Sequence, residues 1–145
     1  MYLVDTNVIS AGAPSRLAPS GLVGWMNAQS GLLSLSAVTV AEIEDGIAKL
    51  RREGATRKSE DLSAWLETVL HLYGDRILAF DAATARIAGG LSDRARGQGQ
   101  ASGLADIIVA ATAQRHGLTI LSRNVRHFAP LGARVFDPFV TLPPA

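Results

Sequence analysis

The chain alternates short apolar runs with helix-length amphipathic stretches from one end to the other. Few architectures accept that rhythm. It is the pattern of βα units, in which buried strands lie side by side in parallel and helices make the crossovers. The spacing predicts strands over 2–5, 32–36, 76–80 and 118–122, with a weaker one over 134–136. Helices are predicted over 7–11, 19–29, 39–53, 59–73, 82–97 and 103–116. The punctuation agrees with these limits. Gly12-Ala13-Pro14-Ser15 reads as a turn, and Pro19 suits a first helical position. Gly54, Gly74 and Gly117 stand where helices could stop. Ser59-Glu-Asp-Leu and Asp81-Ala-Ala-Thr read as helix entries. No repeat or interdomain linker interrupts the alternation, so a single α/β domain over 1–145 is expected.

Three acids recur where apolar runs hand over to helical sequence: Asp5, Glu42 and Asp106. Open α/β sheets bind ligands at the carboxyl ends of their strands. Carboxylates converging there repel one another, at a cost of about 1–4 kcal/mol for a pair some 4 Å apart. A hard divalent cation removes that cost, so such a cluster reads as a Mg²⁺ or Mn²⁺ site.

Each acid also has a purely structural explanation. Asp5 can cap the helix that follows it. Thr39-Val40-Ala41-Glu42 has the form of a capping box, with Glu42 reaching back to the Thr39 N–H. Against that, Ile43, Ile47 and Leu50 form an i, i+4, i+7 stripe that brings Glu42 close to the buried side of its helix. Asp106 is the hardest to dismiss. It sits in Leu104-Ala105-Asp106-Ile107-Ile108-Val109-Ala110-Ala111, the most apolar helical stretch of the chain, where an unpaired charge is rare. Asn7 and Asn124 follow strand candidates and can supply neutral oxygens, with turn formation as the alternative. His127 is the one histidine placed to approach the site; His71 and His116 read as helix-surface residues. Trp25 and Trp65 fall on helical patterns and read as packing residues.

Composition narrows the remaining choices. No apolar stretch reaches the ~20 residues of a membrane span, and the first residues lack the basic n-region and apolar h-region of a secretory signal. The chain has no Cys, which excludes disulfides, thiolate zinc sites and a Cys nucleophile. A cytoplasmic protein is expected. The net charge is only +1, yet all basic residues except Lys49 and Lys58 are Arg, the side chain best suited to phosphate. They gather at 49–52, 57–58, 94–96 and 123–126. Solvated helix faces explain such clusters equally well. No GxGxxG, GxxxxGK[ST] or GxSxG motif is present in a suitable context.

The motifs Leu3-Val4-Asp5-Thr6-Asn7-Val8-Ile9-Ser10, Leu35-Ser36-Ala37-Val38-Thr39-Val40-Ala41-Glu42-Ile43, Leu104 to Ala113 and Leu118 to Phe128 follow one another in this order. Together they make the chain resemble the PIN-domain family, specifically the VapC-type toxins of bacterial toxin–antitoxin pairs. The resemblance implies a three-layer α/β/α sandwich around a mostly parallel sheet, and a Mg²⁺- or Mn²⁺-dependent endoribonuclease. It makes Asp5, Glu42 and Asp106 the acidic metal ligands and catalytic residues, with Thr6, Asn7, Asn124 and His127 in support. Arg123 and Arg126 become candidates to bind the RNA backbone. It also implies a homodimer held inactive by a cognate antitoxin, which would contact helices near 39–73.

The fourth motif departs from the family pattern. Many relatives carry another acid directly after the Arg or three residues later, where this chain has Asn124 and His127. Three carboxylates still suit one divalent ion, but two tightly held ions are less well supported, and a neutral His127 favours Mn²⁺ over Mg²⁺. A non-catalytic PIN-like module that binds a protein or RNA is the main alternative. A phosphoacceptor receiver domain fits poorly, because both lysines lie in helical sequence and none follows a late strand.

Overall fold

A computed structural model describes residues 1–145. Five strands form one sheet: β1 (Tyr2–Val4), β2 (Leu33–Ser36), β3 (Ile77–Leu78), β4 (Thr119–Leu121) and β5 (Val135–Phe136). Every pairing is parallel and the spatial order is β3-β2-β1-β4-β5. All five predicted strands are present, each shorter than its apolar run. The helices are α1 (Thr6–Ile9), α2 (Leu22–Ala28), α3 (Ala37–Arg52), α4 (Thr56–Tyr73), α5 (Ala82–Gly97), α6 (Leu104–His116) and α7 (Val125–Phe128).

The side-chain period of two along each strand divides the core into two layers. Val4 aligns with Leu35 on one side and Leu121 on the other. With Leu33 these face Val8, Leu22, Ile43, Ile47, Leu66 and Val69 of α1 to α4. Leu3 and Ile120 point the opposite way, onto Ala88, Leu91, Ile107, Val109, Ala110 and Phe128 of α5 to α7. Helices therefore cover both faces, giving the expected three layers. Each fully buried side chain of this kind contributes about 1.5–3 kcal/mol. No helix is long and apolar enough to cross a membrane.

α6 shows why the third motif is so apolar. Ile107 through Ala113 are buried without a break, because α6 lies against the sheet and also against α5. A helix enclosed on most sides has no need of a polar stripe. Gly117 ends it at φ +65°, the left-handed position at which Gly is least strained. Gly54 and Gly74, the other two predicted stops, also have positive φ.

Three helix starts differ from expectation, each for a local reason. The N-cap of α3 is Ser36, whose Oγ accepts the Val38 N–H at 3.2 Å. Thr39 therefore lies within the helix and the Thr39–Glu42 capping box does not form. α4 begins at Thr56, so Ser59 is internal and its hydroxyl donates back to the Thr56 carbonyl. α2 begins at Leu22, because Gly21 at φ +85° separates it from the Pro19 turn. Asp81, by contrast, caps α5 as expected, accepting the Thr84 N–H at 3.0 Å. The short α7 had no counterpart in the sequence reading; it seats Phe128, which is fully buried.

Candidate active site at the reversal of strand order

The chain builds outward from β1 in one direction to β2 and β3, then returns to place β4 and β5 on the other side. The carboxyl ends of β1 and β4 flank that reversal, the place where open α/β sheets leave a crevice. A cavity of about 420 Å³ opens there. Its lining includes Asp5, Thr6, Asn7, Glu42, Asp106, Arg123 and Asn124, which brings seven of the nine predicted site residues together. The other two, Arg126 and His127, line a smaller cavity of about 220 Å³ on the far side of Asp106, which the two cavities share.

Asp5 is the most enclosed of the acids, at 6% exposure. Its Oδ1 accepts the Thr6 N–H at 2.9 Å, so it does cap α1. Its Oδ2 accepts the Ser122 hydroxyl at 2.7 Å and the Asn7 amide at 3.1 Å. Capping and membership of the pocket are therefore compatible. Ser122 itself is fully buried. It accepts the Asn124 N–H at 3.0 Å and the Asn7 Nδ2–H at 3.2 Å, so its one donor and both lone pairs are used. Asn7 Oδ1 accepts the Arg123 N–H at 3.1 Å, which ties the start of α1 to the loop after β4. No buried side-chain polar atom lacks a partner.

Glu42 lies one turn into α3 and is exposed to the pocket. Its Oε1 accepts the Thr6 hydroxyl at 2.7 Å, and the buried Thr39 hydroxyl lies 3.3 Å from that of Thr6. Asp106 occupies the first turn of α6. Burial pushes its carboxyl above the ordinary value, repulsion from Asp5 adds to the shift, and His127 opposes it. His127 Nδ1 stands 3.3 Å from Asp106 Oδ2. The pair Asp5–Asp106 thus shows the mutual repulsion expected of converging acids. The three acids share a pocket but form no tight cage, since no three His, Asp or Glu side chains are grouped closely enough to hold one ion together. The donor set is nonetheless hard oxygen with no thiolate, and Glu42 Oε2 and Asp106 Oδ1 carry no bond from the protein.

Sequence reasoning missed Ser122, although it follows β4 just as Asp5 follows β1. The signal is the register: Val4 pairs with Leu121, and the Asp5 N–H bonds to the Leu121 carbonyl at 2.9 Å. Arg16, Leu17 and Phe139 also line the pocket and were not foreseen. The basic clusters at 49–52, 57–58 and 94–96 do not line it, as the solvated-face reading holds.

The sequence matches the PIN domain over residues 2–131. The chain belongs to the PIN-domain family. Among curated PIN relatives it is 38% identical to Toxin FitB of Neisseria gonorrhoeae, over 96% of this chain and 99% of that one. It is 32% identical to VapC ribonuclease Y4jK of Sinorhizobium fredii, over 96% of this chain and 98% of that one. The crystal structure of FitAcB from Neisseria gonorrhoeae superposes with a TM-score of 0.82 at 37% identity, covering 95% of this chain and 98% of that one. The superposition shows that this chain shares the fold of the FitAcB chain.

Proposed function

We propose that this PIN domain is a divalent-metal-dependent endoribonuclease acting as the toxin of a toxin–antitoxin pair in the cytoplasm. The observation that carries the reading is the shared pocket of Asp5, Glu42 and Asp106 at the strand-order reversal, with Asp5 and Asp106 close enough to repel. The names of the relatives, a toxin and a ribonuclease, point the same way.

Asp5 and Asp106 would be the principal ligands of Mg²⁺ or Mn²⁺, with Glu42 reaching the ion through water, since the three acids are not grouped tightly enough for all to bind it directly. The bound ion supplies Lewis-acid polarisation of the phosphate and a lowered pKa for water. Ser122, Asn7 and the Thr6 N–H fix the Asp5 carboxylate, and the Thr6 hydroxyl fixes Glu42. Such outer contacts orient metal ligands and tune their affinity. Arg123 at the pocket and Arg126 beyond Asp106 bracket the acids and neutralise the RNA backbone on either side, an attraction that weakens with salt. His127 stands on Asp106, where it limits the carboxylate to one free oxygen.

The partners are RNA, a second copy of the chain and a cognate antitoxin whose contact surface is α3 and α4. The test is single-turnover cleavage of RNA with Mg²⁺, with Mn²⁺ and in EDTA. Cleavage that needs the cation and is lost in Asp106→Asn is the expected result; equal rates in EDTA or an active Asp106→Asn defeat the reading. A binding module without turnover is favoured by one observation, the Asn124 and His127 that stand where many relatives carry an acid. It predicts no rise in thermal stability on adding cation.

A further inference from the structure

The pocket lining is of two chemical kinds. Asp5, Glu42 and Asp106 make one. The other is apolar: Leu17, fully exposed, and the ring of Phe139, with Arg16 and Arg123 also among the lining residues. A phosphate group alone makes no use of an apolar wall. A nucleotide does, because its phosphate is charged and its base has flat faces that stack.

Phe139 comes from the segment after β5, beyond the residues that match the PIN domain. Asp137 Oδ1 accepts the Phe139 N–H at 2.8 Å, a turn that sets the ring's position. Farther on, the Tyr2 hydroxyl donates to the Pro144 carbonyl at 2.8 Å and ties the segment to β1. The guanidinium carbon of Arg123 lies 4.5 Å from the centre of the Phe139 ring, within stacking range. The Arg123 backbone is fixed as well, through the Asn7 side chain that also holds Asp5. A flat cation is thus held at both root and tip beside the carboxylates, while the residue as a whole remains exposed.

The geometry points to a nucleobase platform: Phe139 positions Arg123 so that its guanidinium stacks an unpaired base next to the scissile phosphate. This deepens the ribonuclease reading and rests on it. A base inside a duplex has both faces covered by its neighbours and cannot stack on a side chain. Phe139 acts through Arg123, so it is a positioning residue.

The experiment uses the full chain. An Asp5→Asn background stops turnover, and single-stranded oligoribonucleotides carrying 2-aminopurine at successive positions report stacking by quenching. One position is expected to quench on binding. Phe139→Leu and Arg123→Lys are expected to abolish that quench and raise Kd roughly tenfold, whereas Phe139→Trp retains it. In the active background Phe139→Leu raises KM roughly tenfold with kcat changed less than twofold, and a fully paired duplex is not cut. Thermal unfolding checks that Phe139→Leu folds; Arg123→Lys, at an exposed residue, carries the test if it does not. Quenching that survives both variants, or equal cutting of duplex and single strand, overturns the platform. So does a Phe139→Leu variant that binds RNA normally but loses affinity for a protein partner. A chain that quenches but never cleaves refutes the nuclease reading and leaves the platform standing, so the two failures are distinguishable.

Discussion

Replacing Ser122 with Ala is expected to destabilise the fold and the site together. The Ser122 hydroxyl donates to Asp5 Oδ2 at 2.7 Å, where both residues are buried. A hydrogen bond to a charged group of this kind is worth about 1.5–3 kcal/mol. The two groups that donate to Ser122 lose less. Asn7 Nδ2 keeps its bond to Asp5, and the backbone of the exposed Asn124 can turn to water, adding about 0.5–1 kcal/mol. The expected loss is therefore about 2–4 kcal/mol. For a chain of this length each kcal/mol moves the melting temperature by roughly 3 °C, so Tm falls by about 6–12 °C. Calorimetry measures the shift, and urea titration with an unchanged m-value confirms that the folded state is otherwise the same. RNA cleavage falls at least tenfold at a temperature where the variant is folded, because Asp5 loses the contact that fixes Oδ2. Ser122→Thr, which retains the hydroxyl, recovers part of both. A Ser122→Ala loss below about 0.5 kcal/mol with full cleavage would refute the claim that this hydroxyl holds Asp5 in place.

Saturating Mn²⁺ or Mg²⁺ at about 100 times Kd stabilises the chain by about 2.7 kcal/mol, read as a higher Tm that Asp106→Asn abolishes. Asp106 has a raised carboxyl pKa, so the folded chain binds more protons than the unfolded one between the ordinary value of 3.8 and the raised value. In metal-free buffer, stability contributed by this group falls as pH rises through that window, and Asp106→Asn removes the decline in urea midpoints. Asp81 behaves oppositely: the Arg115 guanidinium, then Thr84, hold it far below the usual range, so its contribution is present above the ordinary value and lost as pH falls. Asp81→Asn therefore flattens the acid limb of the same curve. Gly117→Ala places a side chain at φ +65° with open space around it, and a loss of about 1–2 kcal/mol in urea titration is expected from backbone strain alone.

Much of this was legible in the sequence because it is written in local pattern. Buried parallel strands read as continuous apolar runs, and Asp106 stood out because no helix interior that apolar tolerates a stray charge without a use for it. Asp5 lay at the end of such a run. What the sequence could not reveal depends on which strands become neighbours. Ser122 matters because β4 lies beside β1, a contact across 117 residues, and nothing near Ser122 in the chain announces that. The Thr39–Glu42 capping box failed because Ser36, three residues earlier, offered a cap at the true end of β2. Arg16, Leu17 and Phe139 escaped for the same reason as Ser122: loops and the segment after β5 are aimed by tertiary packing, not by periodicity. His127 was placed near the acids, and its partner proved to be Asp106 in particular.

The bond between Asp5 and Ser122 has a bearing on biosynthesis. β1 leaves the ribosome well before β4, yet it fills the centre of the sheet and waits for that strand to arrive. Until then Asp5 has no hydroxyl to hold it and the crevice has only one wall. A chain that has not yet delivered β4 therefore lacks the hydroxyl that holds Asp5, and the proposed site is completed only once β4 pairs with β1.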